Sequence, residues 1–248
     1  MNITSGRVIK DRYGRYFVSL NIEDNTLSVY QYGIEGFGID MGVKKYATIH
    51  DGYITWSIPH PWKKSSNTKL NFYQSKIDGL MRVISMKVEI NKKNGGAPAT
   101  IYHSHNIQKL WDKVRKYYKK IHDYMDDFIK IWCHVLMIAK PEFITLENLD
   151  ISEMKENKST THKYHDIIAK SNWYKFKSIL INMAKSNGCE VRIADEYYPS
   201  SKTCHFCGHK NEITLKDRTI VCSKCGKTYD RDENAAINLY NLKKYSIA

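Results

Sequence analysis

Two cysteine pairs constrain this chain more than any other feature. Cys204-x-x-Cys207 and Cys222-x-x-Cys225 are separated by 14 residues, and a glycine, Gly208 or Gly226, follows each pair. Two such arms can close on one tetrahedral ion, because each turn aims backbone N–H groups at sulfur and glycine permits the left-handed residue the turn requires. Four thiolates are a soft, closed set with no position left for water, so the expected occupant is one structural Zn²⁺. His205 and His209 are then surplus to the metal and expected at the surface. Cys133 and Cys189 lie in apolar or strand-like stretches and read as packing residues. With no charged-then-apolar secretory pattern at the start, six cysteines suit metal binding in a reducing compartment, and the expected location is cytoplasmic, at the nucleoid in a prokaryote.

The arms run directly into acids, in DRDENAAINL from Asp230. Two more acids sit where strands should end: Asp40 in GFGIDMG and Glu147 in PEFITLENL. Taken singly, each reads as a helix cap or a solvated carboxylate, and spacing alone does not pair them. Together, carboxylates at strand ends and a helix start are the hard oxygen donors that two Mg²⁺ ions need for phosphodiester hydrolysis.

The remaining elements follow from periodicity and turn chemistry. Residues 7–23 alternate as a hairpin about a turn at Asp11 to Gly14, and Asp51-Gly52 signals a two-residue turn between KYATIH and YITWSI. A helix is expected from Asn67 to about Asn94, ending at Gly95-Gly96. A longer one runs from about His105 to Ala139, with Ile107, Leu110, Val114, Tyr117, Ile121, Tyr124, Phe128, Ile131, Val135 and Ile138 as one heptad-like apolar stripe, expected as a core helix laid on the sheet, with a coiled-coil dimer seam as the alternative. Pro141 stops it before a buried strand. Lys155 to His165 is polar, Ser171 is expected to cap a helix through Asn187, CEVRIAD reads as a strand, and the last helix spans about Glu233 to Leu242.

Charge narrows the partner. Of a formal net charge of +13, residues 61–140 contribute +10, from 16 basic and 6 acidic side chains. Such a local field suits a polyanion, and Lys113, Arg115, Lys116, Lys119 and Lys120, off the apolar stripe, are the expected phosphate contacts. A membrane role is not expected: the longest nearly apolar run, Ile131 to Ala139, is nine residues interrupted by His134, against the ~20 needed to span a bilayer.

The runs GIDMGVKKYATIHDG, FITLENL, YPSSKTCHFCG and CSKCGKTYDRDENAAINL resemble, in order, the motifs of the TnpB family, transposon-associated RNA-guided DNA nucleases related to type V CRISPR effectors. The resemblance implies an α/β fold, an RNase H-like (RuvC-type) mixed sheet with flanking helices, into which the zinc ribbon is inserted. It places the catalytic metal ligands on Asp40, Glu147 and Asp232, with Asp230 the secondary candidate for the third, and makes the metal Mg²⁺ or Mn²⁺. It divides the chain into a β-rich remnant of the family's N-terminal wedge (1–34), a nuclease core (35–203, including the basic helices 61–140), the ribbon (204–228) and the rest of the core (229–248). The partners implied are DNA and a guide RNA, with a separate recognition subunit or a second copy replacing the family's recognition lobe. Two other functions stay open: a non-cleaving nucleic-acid-binding fragment or regulator, and a strand-transferring transposase.

Overall fold

The computed structural model of the protein describes residues 2–12, 14–23, 32–62, 68–96, 102, 104–148, 162–214 and 217–248. The polar stretch expected from Lys155 lies outside them up to residue 161. The chain divides into two compact units, one of Met1–Val29 with Thr68–Asp126 and one of Tyr30–Asn67 with Asp127–Ala248.

The first unit holds a hairpin and a helical pair. Strands β1 (Asn2–Lys10) and β2 (Tyr16–Glu23) pair antiparallel through a turn in which the Asp11 carboxylate accepts from the Arg15 backbone N–H at 2.9 Å. Both faces stay open: Tyr16, Val18 and Leu20 are exposed on one, Phe17 on the other. Helix α1 (Thr68–Lys93) and the first part of α2 (His105–Ile138) bury Ile77, Ile84 and Val114 together, with Leu110, Trp111, Tyr117 and Ile121 packed around them.

The second unit is built on a six-stranded sheet in the order β10-β7-β6-β3-β4-β5. Its strands are β3 (Ile34–Met41), β4 (Lys45–His50), β5 (Thr55–Pro59), β6 (Pro141–Leu146), β7 (Glu190–Ala194) and β10 (Tyr245–Ile247). An antiparallel β3-β4-β5 meander continues into parallel β6 and β7, and β10 closes the edge antiparallel to β7. This mixed sheet with flanking helices is the RNase H-like class the motifs implied. Helices α3 (His162–Ser171) and α4 (Trp173–Ser186) cross between β6 and β7, and α4 buries Trp173, Phe176, Leu180 and Ala184, one helical face at three- and four-residue spacing. The cysteine hairpin carries β8 (Thr219–Val221) and β9 (Thr228–Asp230), and α5 (Arg231–Tyr240) follows it.

Three expectations need correction. The stripe on α2 does not stay buried: Ile129, Cys133 and Leu136 fill the sheet's core while Ile131, Val135 and Ile138 are exposed. A straight helix drifts about 20° per heptad against a 3.5-residue repeat, so over 34 residues the buried face rotates out of the heptad frame. Ser171 does not open a helix but ends α3, and Asn172, left-handed at φ 53°, stands at the start of α4 without a side-chain cap bond. At Asp51-Gly52 the connection is longer than two residues, because Asp51 Oδ1 accepts from the N–H groups of both Tyr53 and Ile54 and β5 begins only at Thr55. Strand β10 escaped the sequence reading, having too few residues to show a period.

Candidate functional site

The register of β3 and β6 sets the site. Ile39 lies opposite Leu146, so one step past this last pair stand Asp40, the penultimate residue of β3, and Glu147, just beyond the end of the parallel neighbour β6. Alternation puts Asp40 on the face of Gly36 and Gly38, which pair with Phe143 and Thr145, the residues sharing a face with Glu147. Helix α5 lies on this same face. A Cβ at Gly38 would stand 2.2 Å from the Ala236 carbonyl oxygen and 2.3 Å from the Tyr240 nitrogen, so only glycine lets the helix approach so closely. Asp232 is thereby carried in at the start of the helix. Asp230 is its N-cap, with Oδ1 accepting from the N–H groups of Asp232 at 2.9 Å and Glu233 at 3.1 Å.

The electrostatics are those of a crowded acid site. Burial raises the Asp40 carboxyl well above the ordinary carboxylate range, the charges of Glu147 and Asp232 raise it further, and Arg231 and Arg218 oppose the rise. Burial also raises Glu147, against the lowering effect of the Ser200 hydroxyl, which donates to Oε1 at 2.9 Å, and of Arg231 and Lys177. Asp232 is buried, and Arg218 Nη1 donates to both its oxygens at 3.1 Å while Arg231 donates to Oδ1 at 3.2 and 3.3 Å. Three of these four contacts fall on Oδ1 and one on Oδ2, so Oδ2 is the oxygen more open to a cation. A cavity of about 390 Å³ opens under α4, lined by Met41, Asn148, Trp173 and Lys177 among others, and none of the three acids is part of its lining. Burial pushes the Lys177 ammonium down, against Glu147, whose carbonyl oxygen lies 3.5 Å from Nζ.

The sulfur site is more tightly assembled. Among the described residues, the ligand atoms of Cys204, Cys207, Cys222 and Cys225 all lie within 4.8 Å of one another, whereas the three acids do not close to that distance. Unneutralised carboxylates repel, and the two arginines hold Asp232. Cys204 Sγ lies 3.8 Å from Cys225 Sγ, and Cys207 Sγ 3.6 Å from Cys222 Sγ. Tetrahedral Zn–S bonds of about 2.3 Å place sulfurs about 3.8 Å apart. The donors therefore fit the ion. The two arms have one geometry: Gly208 and Gly226, at φ 71° and 68°, donate to the Cys204 and Cys222 carbonyls at 2.8 and 2.9 Å. The N–H groups of Cys225 and Lys224 help pull the Cys222 thiol down to about 6. His205 and His209 both depart from the expected surface position, each being half-buried, and the His205 backbone N–H donates to Asn234 Oδ1 at 2.9 Å.

Of the expected basic contacts, Lys113, Arg115, Lys116 and Lys120 are exposed on α2 and Lys119 is half-buried. Arg115 pairs with Asp112, and Lys120 Nζ lies over the rings of Tyr73 and Tyr117. The sequence reading did not single out Ser200, Arg218 and Lys177 at the acid site. A serine, an arginine and a lysine carry no spacing signal, and only the fold brings them there.

A family model described as "Cas12f1-like, TNB domain" matches residues 173–239. A protein of Streptomyces pristinaespiralis whose name describes an RNA-guided DNA endonuclease is 28% identical over 240 residues, covering 95% of this chain and 52% of its own length. A TnpB-like protein of Acanthamoeba polyphaga mimivirus is 29% identical over 207 residues, covering 83% of this chain and 36% of its own. The CRISPR-associated DNA-binding protein Cas12m of Thermanaerosceptrum fracticalcis is 38% identical over 68 residues, 26% of this chain and 11% of its own. The fold matches a CRISPR-Cas12f ternary complex with TM-score 0.59 at 20% identity, covering 94% of this chain and 44% of that one. It matches a Cas12f1-sgRNA-target DNA complex with TM-score 0.55 at 20% identity, over 93% and 42%. This chain thus spans about half or less of the length of these relatives.

Proposed function

We propose that this chain, related to the TnpB proteins along most of its length, is the hydrolytic part of a divalent-metal-dependent DNA endonuclease that is guided by RNA and belongs to a transposable element. The observation that carries the reading is the shared face of the sheet, where Asp40 and Glu147 stand at the ends of adjacent parallel strands and Gly38 seats the helix bearing Asp232. These three are the proposed catalytic ligands, and the all-oxygen donor set suits Mg²⁺ or Mn²⁺. Two such ions, when bound, supply an activated water and charge stabilisation at the phosphodiester oxygens. The chain's own residues hold and orient: Arg218 and Arg231 compensate Asp232, Ser200 fixes Glu147, and Lys177 offers a positive charge beside the Glu147 backbone. Asp230 serves the helix start in this reading and remains the secondary candidate. Zinc is the proposed occupant of the four cysteines, supported by their sulfur spacing.

In this division residues 35–203 and 229–248 form the nuclease core and 204–228 the ribbon, with 1–34 as the β-rich remnant of a wedge. DNA and a guide RNA are the proposed partners, in keeping with the nucleic acids named in a structural match. A recognition subunit or second copy is proposed to complete target reading. The site of action is the cytoplasm or nucleoid. No helix among the described residues is long and apolar enough to cross a membrane.

The test is cleavage of labelled DNA with Mg²⁺ or Mn²⁺ by the chain with its copurifying RNA. Asp40→Ala, Glu147→Ala and Asp232→Ala are each expected to abolish it while nucleic-acid binding persists, and a double variant is expected to be little worse than a single one. Activity surviving in Asp232→Ala but lost in Asp230→Ala would move the third ligand. A second reading, a non-cleaving binder, is favoured by the similarity to Cas12m, named for DNA binding. It predicts equal behaviour of wild type and acid variants.

A further inference from the structure

Helix α5 does more than carry Asp232. Asn234 and Asn238, four residues apart on one face, are buried. Asn234 Nδ2 lies within hydrogen-bond reach of the carbonyl oxygens of Ser200, Ser201 and Thr203 at 3.2, 3.4 and 2.8 Å, and its Oδ1 takes the His205 N–H at 2.9 Å. Asn238 Nδ2 reaches Ser200 O at 2.7 Å and Thr203 O at 2.6 Å. The two amides thus grip a strap from Ser200 to His205 that contains Cys204, a member of the sulfur cluster. Ser200, 2% exposed, turns its hydroxyl away from this grip and onto Glu147 Oε1 at 2.9 Å.

Two acids of the site therefore depend on one helix by different routes. Asp232 belongs to the helix, and Glu147 is reached through the strap. Without the Ser200 hydroxyl, the Glu147 carboxylate keeps its burial and its repulsion with Asp40 but loses a partner that fixes its direction. Outer partners of this kind orient metal ligands, and their removal typically costs about 10- to 100-fold in metal affinity or activity.

We propose that Ser200 is a positioning residue for Glu147, and that Asn238 and Asn234 set its place by holding its carbonyl, so that the strap leading into the cysteine cluster and the acid site are aligned by the same helix face. The proposal rests on the reading of Asp40, Glu147 and Asp232 as metal ligands, and its readout is binding of Mn²⁺ rather than cleavage. Titration of the full chain with Mn²⁺, followed by electron paramagnetic resonance of the free ion, is the measurement. Ser200→Ala is expected to weaken Mn²⁺ binding about tenfold or more, with zinc content and thermal unfolding close to wild type, since one oxygen is removed and no volume is added. Asn238→Ala is expected to weaken Mn²⁺ binding in the same direction. In the double variant the two losses should combine to less than their sum, because both act through one hydroxyl. Wild-type affinity in folded Ser200→Ala would overturn the proposal alone. Fully additive losses would overturn the link from Asn238 to Ser200. If wild type and Asp40→Ala bound Mn²⁺ equally, the metal-ligand reading itself would fail, and this proposal with it.

Discussion

His60 is neutral in the folded chain, and its two ring nitrogens show why. Nδ1 accepts the Trp62 backbone N–H at 3.3 Å, so Nε2 carries the hydrogen and faces Ser171 Oγ at 2.9 Å. That hydroxyl in turn donates to the Ile167 carbonyl at 2.7 Å. A second proton would have to enter at Nδ1, against an N–H already pointing there, and burial pushes the imidazole down to about 4. An unfolded histidine titrates near 6.5, so between those values the unfolded chain binds the extra proton and the folded chain does not. The stability contributed by neutral His60 is complete above about pH 6.5 and is lost as pH falls through 4, a difference of about 3 kcal/mol. Urea unfolding of wild type and His60→Gln at pH 7.5 and 4.5 should show a smaller acid loss in the variant, and equal losses would refute the assignment. None of this was legible in the sequence, where His60 stands in a turn-like SIPHPW run and the hydroxyl partner of its Nε2, Ser171, lies more than a hundred residues away. The cysteines were legible for the opposite reason: all four ligands lie within 22 residues, so their spacing records their geometry. The acids fall between these cases, since only resemblance joined Asp40 to Glu147 across 107 positions.

Gly38 is the point at which an element's position becomes a property of the site. The atoms a Cβ would meet belong to the backbone of α5 and cannot rotate away. Gly38→Ala must therefore lift the helix from the sheet. Overpacking typically costs about 1–3 kcal/mol, and a backbone clash belongs at the upper end of that range. Because Asp232 and the two asparagines travel with the helix, cleavage should fall further than stability does. A thermal shift with cleavage unchanged would show that α5 does not position the acid. The cysteine hairpin is an element of a different kind, with a small core of Cys204, Ile220, Cys222 and Tyr229. So few residues cannot hold a fold alone, and bound metal contributes folding free energy directly. Elemental analysis is expected to give one zinc per chain, and stripping it should expose the 204–228 segment to protease before the sheet unfolds. Folded protein lacking zinc would refute the metal assignment. At this scale the sequence revealed the existence of α2 but not its buried side. A 3.5-residue template carried through Ile138 assumes one continuous seam, whereas the helix serves two separate cores.

On the scale of the whole chain the dominant quantity is charge. A net +13, with +10 between residues 61 and 140 and +7 of that on α1 and α2, means that any nucleic acid meets much of its attraction at the two long helices. Neutralising each DNA phosphate releases counterions, so the logarithm of affinity should fall by about 0.9 per contacted phosphate for each tenfold rise in salt. Contacts to phosphate carry no base information, so duplexes of unrelated sequence should bind with similar affinity and similar slope. Lys116 and Lys120 are exposed and Lys119 half-buried on α2, close enough in sequence to meet one stretch of backbone. Fluorescence anisotropy with a labelled duplex across a potassium chloride series tests this directly. Reversing these three charges to glutamate is expected to flatten the salt slope by roughly one to three contacts' worth. Zinc content and Mn²⁺ binding should stay at wild-type levels, since none of the three lies in the unit that contains the acids and the sulfurs. An unchanged slope would move the nucleic-acid surface elsewhere, whereas a flatter slope accompanied by loss of zinc or Mn²⁺ would show that the substitutions had damaged the fold rather than a contact.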